Sequence, residues 1–185
     1  LEIPLLDMAE NKNAIFIIAF KDFRDEEYFR PKEILEKAGF RVSTVSTEKG
    51  LAYGTDGGEA KVDFTADSVK VADFDAIIFI GGPGAAKNQE NQTFHRLAKE
   101  AAAQNKIIAA ICIAPTILAR AGILEGKRAT VWSSALDRRP IQLIQEEGAI
   151  FENKPVVVDA RLVTATGPQV VKEFAEAIIQ VSKKK

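Results

Sequence analysis

Cysteine, histidine, tryptophan and methionine each occur once in the 185 residues of this chain. A single thiol excludes an intrachain disulfide and leaves the redox compartment open, with the cytoplasm as the expected location. No apolar run approaches the roughly 18 residues that span a bilayer as a helix, so no membrane partner is expected. Charge of one sign is also lacking. A net charge of −1 gives no general attraction to nucleic acid or to an anionic surface. Internal repeats, low-complexity tracts and interdomain linkers are absent too, which excludes solenoids and arrays. The chain opens at Leu1 rather than methionine, so a processed or omitted segment is expected before it. Leu1 to Asn13 has neither the basic start nor the long apolar centre of a secretory signal.

What is present is ordinary for a globular protein: 46% hydrophobic and 28% charged residues, enough for one full core. We read an N-terminal extension over 1–13, one domain over 14–182 and a basic tail over 183–185, solvated at the end of a helix. Ala14 to Phe20 is a continuous apolar run, the pattern of a strand buried on both faces in a parallel sheet. Glu26 to Ala38, closed by Gly39, has helical spacing, and Phe40 to Ser46 is a strand. This β-α-β opening demands a right-handed crossover and an α/β layered domain. Thr47 to Asp67 reads as a loop with a small hairpin. Strands follow at 73–80 and 107–111, then a short one at 127–133 and a two-strand unit at 155–159 and 161–165. Helices are expected over Asn91 to Gln104, Ala114 to Ala121, Pro140 to Glu147 and Gln169 to Val181.

One stretch carries chemistry. Ile107 to Ile111 is a buried strand, Ala114 to Ala121 is a helix with proline in its first turn, and Cys112 stands between them. A free cysteine ordinarily packs as a small hydrophobe. At a strand-to-helix hinge, however, it takes a strained backbone at the carboxyl end of a sheet, where helix amides favour a thiolate. Gly81-Gly-Pro-Gly84 is either a simple turn or bare backbone that approaches a ligand or binds an anion. It lacks the spacing of a dinucleotide or phosphate loop. His95 falls on the polar stretch of its helix and reads as a surface residue. Trp132 either lines a site or fills the core.

Taken together, the apolar strand, the acidic helix start, the strand ending in Gly-Gly, Ala-Ile-Cys-x-x-Pro at a hinge, and Thr-x-x-Gly-Pro before the last helix resemble the DJ-one/PfpI superfamily. The resemblance runs from Ala14 to about Val181. It implies a flavodoxin-like three-layer sandwich with a mostly parallel sheet, related to class I glutamine amidotransferase domains. Carried onto this chain, it implies Cys112 as the reactive cysteine and Glu27, four residues before Pro31, as its pocket carboxylate, with Glu26 as the neighbouring competitor. Gly82 and Ile113 amides would form an oxyanion hole, with Gly81 and Trp132 lining the pocket. Two departures stand out. The protease-like branch has histidine directly after the cysteine, where this chain has Ile113. The parkinsonism-associated branch has histidine on the following strand, in a Thr-Thr-His-Pro setting, where this chain reads Thr130-Val-Trp132-Ser133. A glutamine amidotransferase triad lacks its late histidine as well.

The resemblance therefore implies a cysteine-dependent enzyme acting on small reactive carbonyls or glycated thiols and amines, glyoxalase- or deglycase-like. It would use no metal or organic cofactor and form a homodimer or higher homo-oligomer. Without an imidazole, the helix end and a protonated Glu27 are expected to hold the thiolate. The alternative is a redox-sensing or chaperone-like protein that works through oxidation of Cys112. Behind these stand an intracellular cysteine peptidase and a member that has lost its chemistry.

Overall fold

Strands buried on both faces form the centre of the molecule, as their unbroken apolar runs require. The computed structural model describes residues 11–185, so the extension expected over 1–13 lies largely outside the described residues. In chain order the elements are β1 (Asn13–Ile17), β2 (Lys21–Phe23), α1 (Asp25–Lys37), β3 (Arg41–Ser46), β4 (Gly50–Gly54), β5 (Glu59–Val62), β6 (Phe64–Thr65) and β7 (Ala76–Phe79). Then come α2 (Pro83–Lys87), α3 (Gln92–Ala103), β8 (Ile107–Ile111), α4 (Pro115–Arg120), β9 (Arg128–Ala129), α5 (Arg139–Glu146), β10 (Ile150–Phe151), β11 (Val156–Asp159), β12 (Leu162–Ala165) and α6 (Val171–Ser182).

Seven strands make one sheet in the order β11-β12-β8-β7-β1-β3-β6. All neighbours run parallel except β11, which pairs antiparallel with β12. Side chains alternate across the sheet, and each face has its own core. Ala14, Phe16, Ile78, Ala109 and Ile111 face the layer of α1 and α6, meeting Tyr28, Leu35, Phe174 and Ile178. Ile15, Ile17, Ile77, Phe79 and Ala110 face the opposite layer, meeting Phe94 and Leu97 of α3, Ile117 of α4 and Ile144 of α5. The result is the three-layer, largely parallel architecture that the opening β-α-β unit implies. From β1 the chain moves outward one way to β3, and from β7 it moves the other way to β8 and β12. The crevice beyond the carboxyl ends of β1, β7 and β8 is thus the topological switch point, where open α/β sheets place their ligands.

Three local expectations change. The strand read over 127–133 shrinks to β9, which pairs with β10 in a separate two-stranded sheet. Beyond it the amides turn to other partners: Thr130 N–H donates to Thr164 Oγ1 at 2.9 Å, and Trp132 N–H to the Cys112 carbonyl at 2.8 Å. The hairpin over 47–67 forms as antiparallel β4 and β5, and β2 joins it to make a third sheet. Gly81-Gly-Pro-Gly84 is more than a turn, because α2 starts at Pro83, where a fixed φ and a missing N–H suit a first helical turn.

Candidate active site

The sulfur is placed by a backbone held on both sides. β8 is buried along its whole length, and the chain leaves it through Cys112 at φ 63° before α4 begins at Pro115. A non-glycine residue rarely adopts that left-handed conformation. Here the Cys112 N–H donates to the Ala165 carbonyl at 2.9 Å, and the Cys112 carbonyl accepts from Trp132 at 2.8 Å. The elbow is fixed by neighbours from β12 and from the chain beyond β9, so a strained conformation is held by the structure around it. Cys112 is 6% exposed, and it lines a cavity of about 560 Å³.

The carboxylate comes from the first turn of α1. Of the two adjacent candidates, Glu26 is exposed and Glu27 is fully buried. Glu27 Oε1 accepts the Gly81 N–H at 3.0 Å. Its Oε2 is buried without a well-formed hydrogen bond. Gly81 is the floor on which the two groups meet. A Cβ there would lie 2.6 Å from Glu27 Oε1, 2.7 Å from Cys112 Cβ and 2.8 Å from the Ile111 carbonyl. Next to it, Gly82 sits at φ 113° with the backbone of Asp22 to Arg24 pressed against it, so both positions exclude a side chain.

Burial governs the protonation of the pair. It pushes Glu27 up to about 7, against hydrogen bonds from Cys112 and Gly81 and the charge of Arg24, which pull the other way. Burial also pushes the Cys112 thiol up to about 12, and the charge of Glu27 raises it further; the Ile113 N–H and Arg24 work in the opposite sense. Burial thus opposes the helix-stabilised thiolate expected from the sequence. Desolvation outweighs the amides, and two buried neighbours of like charge do not both ionise. Near neutrality burial therefore favours at most one negative charge on the pair.

Around the sulfur, the cavity wall includes Gly82, Ile113 and Trp132, with Arg24 from the head of α1, Gln89, and Asp137 and Arg139 at the start of α5. Ile113 directs its N–H at the sulfur and packs its side chain against both cores. Trp132 serves both of its expected uses, lining the cavity while packing on the α1–α6 core. His95 is corrected from a surface residue to a buried one, 4% exposed, with Nε2 2.6 Å from the Gln89 carbonyl. It is not among the residues that line the cavity. Arg24, Gln89 and the Asp137–Arg139 pair were not singled out from the sequence, since isolated charges and amides carry no periodic signal. Among the described residues no three histidine, cysteine, aspartate or glutamate side chains gather as a metal site, and no helix is long and apolar enough to cross a membrane.

A family model described as the DJ-1/PfpI family matches residues 12–181. The chain belongs to this family. It is similar to the deglycase PfpI of Pyrococcus furiosus, 30% identical over 154 residues, covering 83% of this chain and 90% of that one. It is similar also to the glutathione-independent glyoxalase DJR-1.2 of Caenorhabditis elegans, 28% identical over 173 residues, with 94% and 90% coverage. Among solved structures, a ThiJ/PfpI domain protein from Brachyspira murdochii superposes with a TM-score of 0.88 at 33% identity, over 93% of this chain and 96% of that one. The family thus has members named for glyoxalase and deglycase activity, on the fold described above.

Proposed function

We propose that this protein is a cysteine-dependent enzyme acting on small reactive carbonyls, glyoxalase- or deglycase-like, with Cys112 as nucleophile and Glu27 as proton carrier. The observation that carries the reading is the meeting of Cys112 and Glu27 over Gly81 at the edge of an open cavity. The names of the relatives support the same class of chemistry. In the reactive form the pair has lost one proton. Glu27 takes the thiol proton as the sulfur adds to the carbonyl carbon, the C–S bond forms, and the π electron pair moves to oxygen. Glu27 then returns the proton to that oxygen, giving a hemithioacetal with no change of oxidation state. Backbone N–H groups of Gly82 and Ile113, both on the cavity wall, would steady the developing oxyanion; the Ile113 N–H is freed as the sulfur turns towards substrate.

Methylglyoxal consumption by purified protein tests this. We expect Cys112→Ala to abolish it and Glu27→Gln to lower kcat/KM about 100-fold or more, the usual worth of a positioned acid–base. The rate should climb with pH through about 7, where Glu27 gives up its proton, and Glu27→Gln should lose that step. Wild type that leaves methylglyoxal and glycated thiols untouched, behaving as Cys112→Ala does, would overturn the proposal.

A second reading is favoured by Glu27 Oε2, which is buried without a well-formed hydrogen bond. A sulfinic acid at Cys112 would offer that oxygen a hydrogen-bond partner, which suits a redox sensor. Intact-mass analysis after modest peroxide decides it: no gain of oxygen at Cys112 removes the sensor. Peptidase chemistry ranks below both, because Ile113 stands where that branch carries its histidine.

A further inference from the structure

The cavity around Cys112 carries two guanidinium groups and one carboxylate among its lining side chains. Arg139 and Asp137 satisfy each other, Nε to Oδ1 at 2.9 Å and Nη2 to Oδ2 at 2.8 Å. Arg24 has no such partner. It forms no ion pair among the described residues, and its Nε is buried without a hydrogen bond. A guanidinium is always charged and presents donors in a planar fork that matches a carboxylate. Its backbone is fixed as well: Arg24 is the extended residue before α1, three positions ahead of Glu27, and its N–H donates to the Gly81 carbonyl at 2.9 Å. Both Glu27 and Cys112 feel its charge.

The alternative use of Arg24 is to balance the single negative charge of the Cys112–Glu27 pair. That charge passes from Glu27 to the developing alkoxide and back during the addition, and it leaves the buried Arg24 Nε without a hydrogen bond, so the guanidinium keeps a donor free for an anion that the substrate brings. We propose that the preferred substrates of this cavity are carbonyl compounds that carry a carboxylate, bound through Arg24 while Cys112 adds to the carbonyl carbon. The addition step rests on the function proposed above, and the carboxylate site does not. The balance is that of hemithioacetal formation: one C–S bond is made, the carbonyl π pair goes to oxygen, and the thiol proton reaches that oxygen through Glu27. No oxidant, reductant or leaving group is required.

Iodoacetate and iodoacetamide are near-isosteric alkylating agents that differ in charge, and the ratio of their rates at Cys112 cancels differences in sulfur acidity. We expect the iodoacetate-to-iodoacetamide ratio in wild type to exceed that of free glutathione by about tenfold or more, the range of a charge-assisted hydrogen bond. It should fall to within about twofold of the glutathione ratio in Arg24→Gln and lie between the two in Arg24→Lys, as a point charge replaces a fork. A wild-type ratio equal to that of glutathione overturns the proposal, as does a raised ratio that Arg24→Gln leaves in place. Should the sulfur resist both reagents or Arg24→Gln fail to fold, thermal shifts of wild type with sodium pyruvate against the uncharged pyruvamide, at fixed ionic strength, decide the matter. Stabilisation by pyruvate alone supports the site, and equal shifts or none overturn it. Methylglyoxal turnover is followed separately. Its absence beside a raised, Arg24-dependent ratio fails the catalytic reading and supports the anion site, whereas turnover beside a glutathione-like ratio fails the anion site alone.

Discussion

A single methyl group on Gly81 would fill the space in which sulfur and carboxyl meet. Its three closest neighbours are the Glu27 Oε1, the Cys112 Cβ and the Ile111 carbonyl, all under 3 Å, and the carbonyl belongs to a central strand that does not yield. We expect Gly81→Ala to cost about 1–3 kcal/mol, the range of overpacking in a dense core, as read by urea unfolding. Displacement of Glu27 from the sulfur should also flatten the pH dependence of Cys112 alkylation. At this scale the sequence exposes the residues of the candidate site unevenly. Cys112 is legible from its position between strand and helix, and Glu27 from its distance to Pro31 in a known pattern. Neither signal carries the protonation state, because burial acts through three dimensions and works against the acidity expected of the sulfur. His95 misleads for a related reason. Arg96 and Glu100 pair on the exposed side of α3, whereas His95 turns inward beside Phe94 and Ala98.

Elements hold the residues in place through their ends. The Cys112 elbow keeps φ 63° because β8 and α4 are both buried and leave no slack. Cys112→Val puts a β-branched side chain into that left-handed conformation, so it should be less stable than Cys112→Ala by about 1–3 kcal/mol. Denaturant titration of the two variants measures the difference, and equal midpoints would mean that the elbow relaxes. Long apolar strands and well-spaced helices are legible because their periodicity is their cause of folding. Short pieces escape that logic. β2 has three residues, one of them Asp22 at φ 64°, and it exists only because β4 arrives from later in the chain to pair with it. The 127–133 segment has strand-like residues, but its amides find Thr164 and Cys112 instead of a ladder.

The folded molecule as a whole bears the cost of hiding an acid. Glu27 has its proton affinity raised from an ordinary 4.5 to about 7 in the fold, so the folded state binds that proton more tightly than the unfolded chain does. This contribution to stability is complete below about 4.5 and is lost as pH rises through 7. Unfolding free energy should therefore drop by up to about 3 kcal/mol between pH 5 and 8.5, the worth of such a shift. Glu27→Gln should show no such drop over the same range. Urea unfolding across the range measures both, and parallel profiles would mean that Glu27 is not the group that titrates. Global architecture is the most legible level of all. The β-α-β start and the unbroken strands specify a parallel sheet with helices on both faces, and such a sheet has its crevice at the switch point whatever the loops contain.

Trp132 is the chain's one indole, and it is bonded through its backbone to the Cys112 elbow while forming part of the wall of two cavities, the one at Cys112 and a second of about 350 Å³. A fluorophore is thus already installed between the Cys112 cavity and the body of the protein. Its emission carries no background from any other indole, so occupancy or oxidation of the thiol is open to observation in the unlabelled molecule.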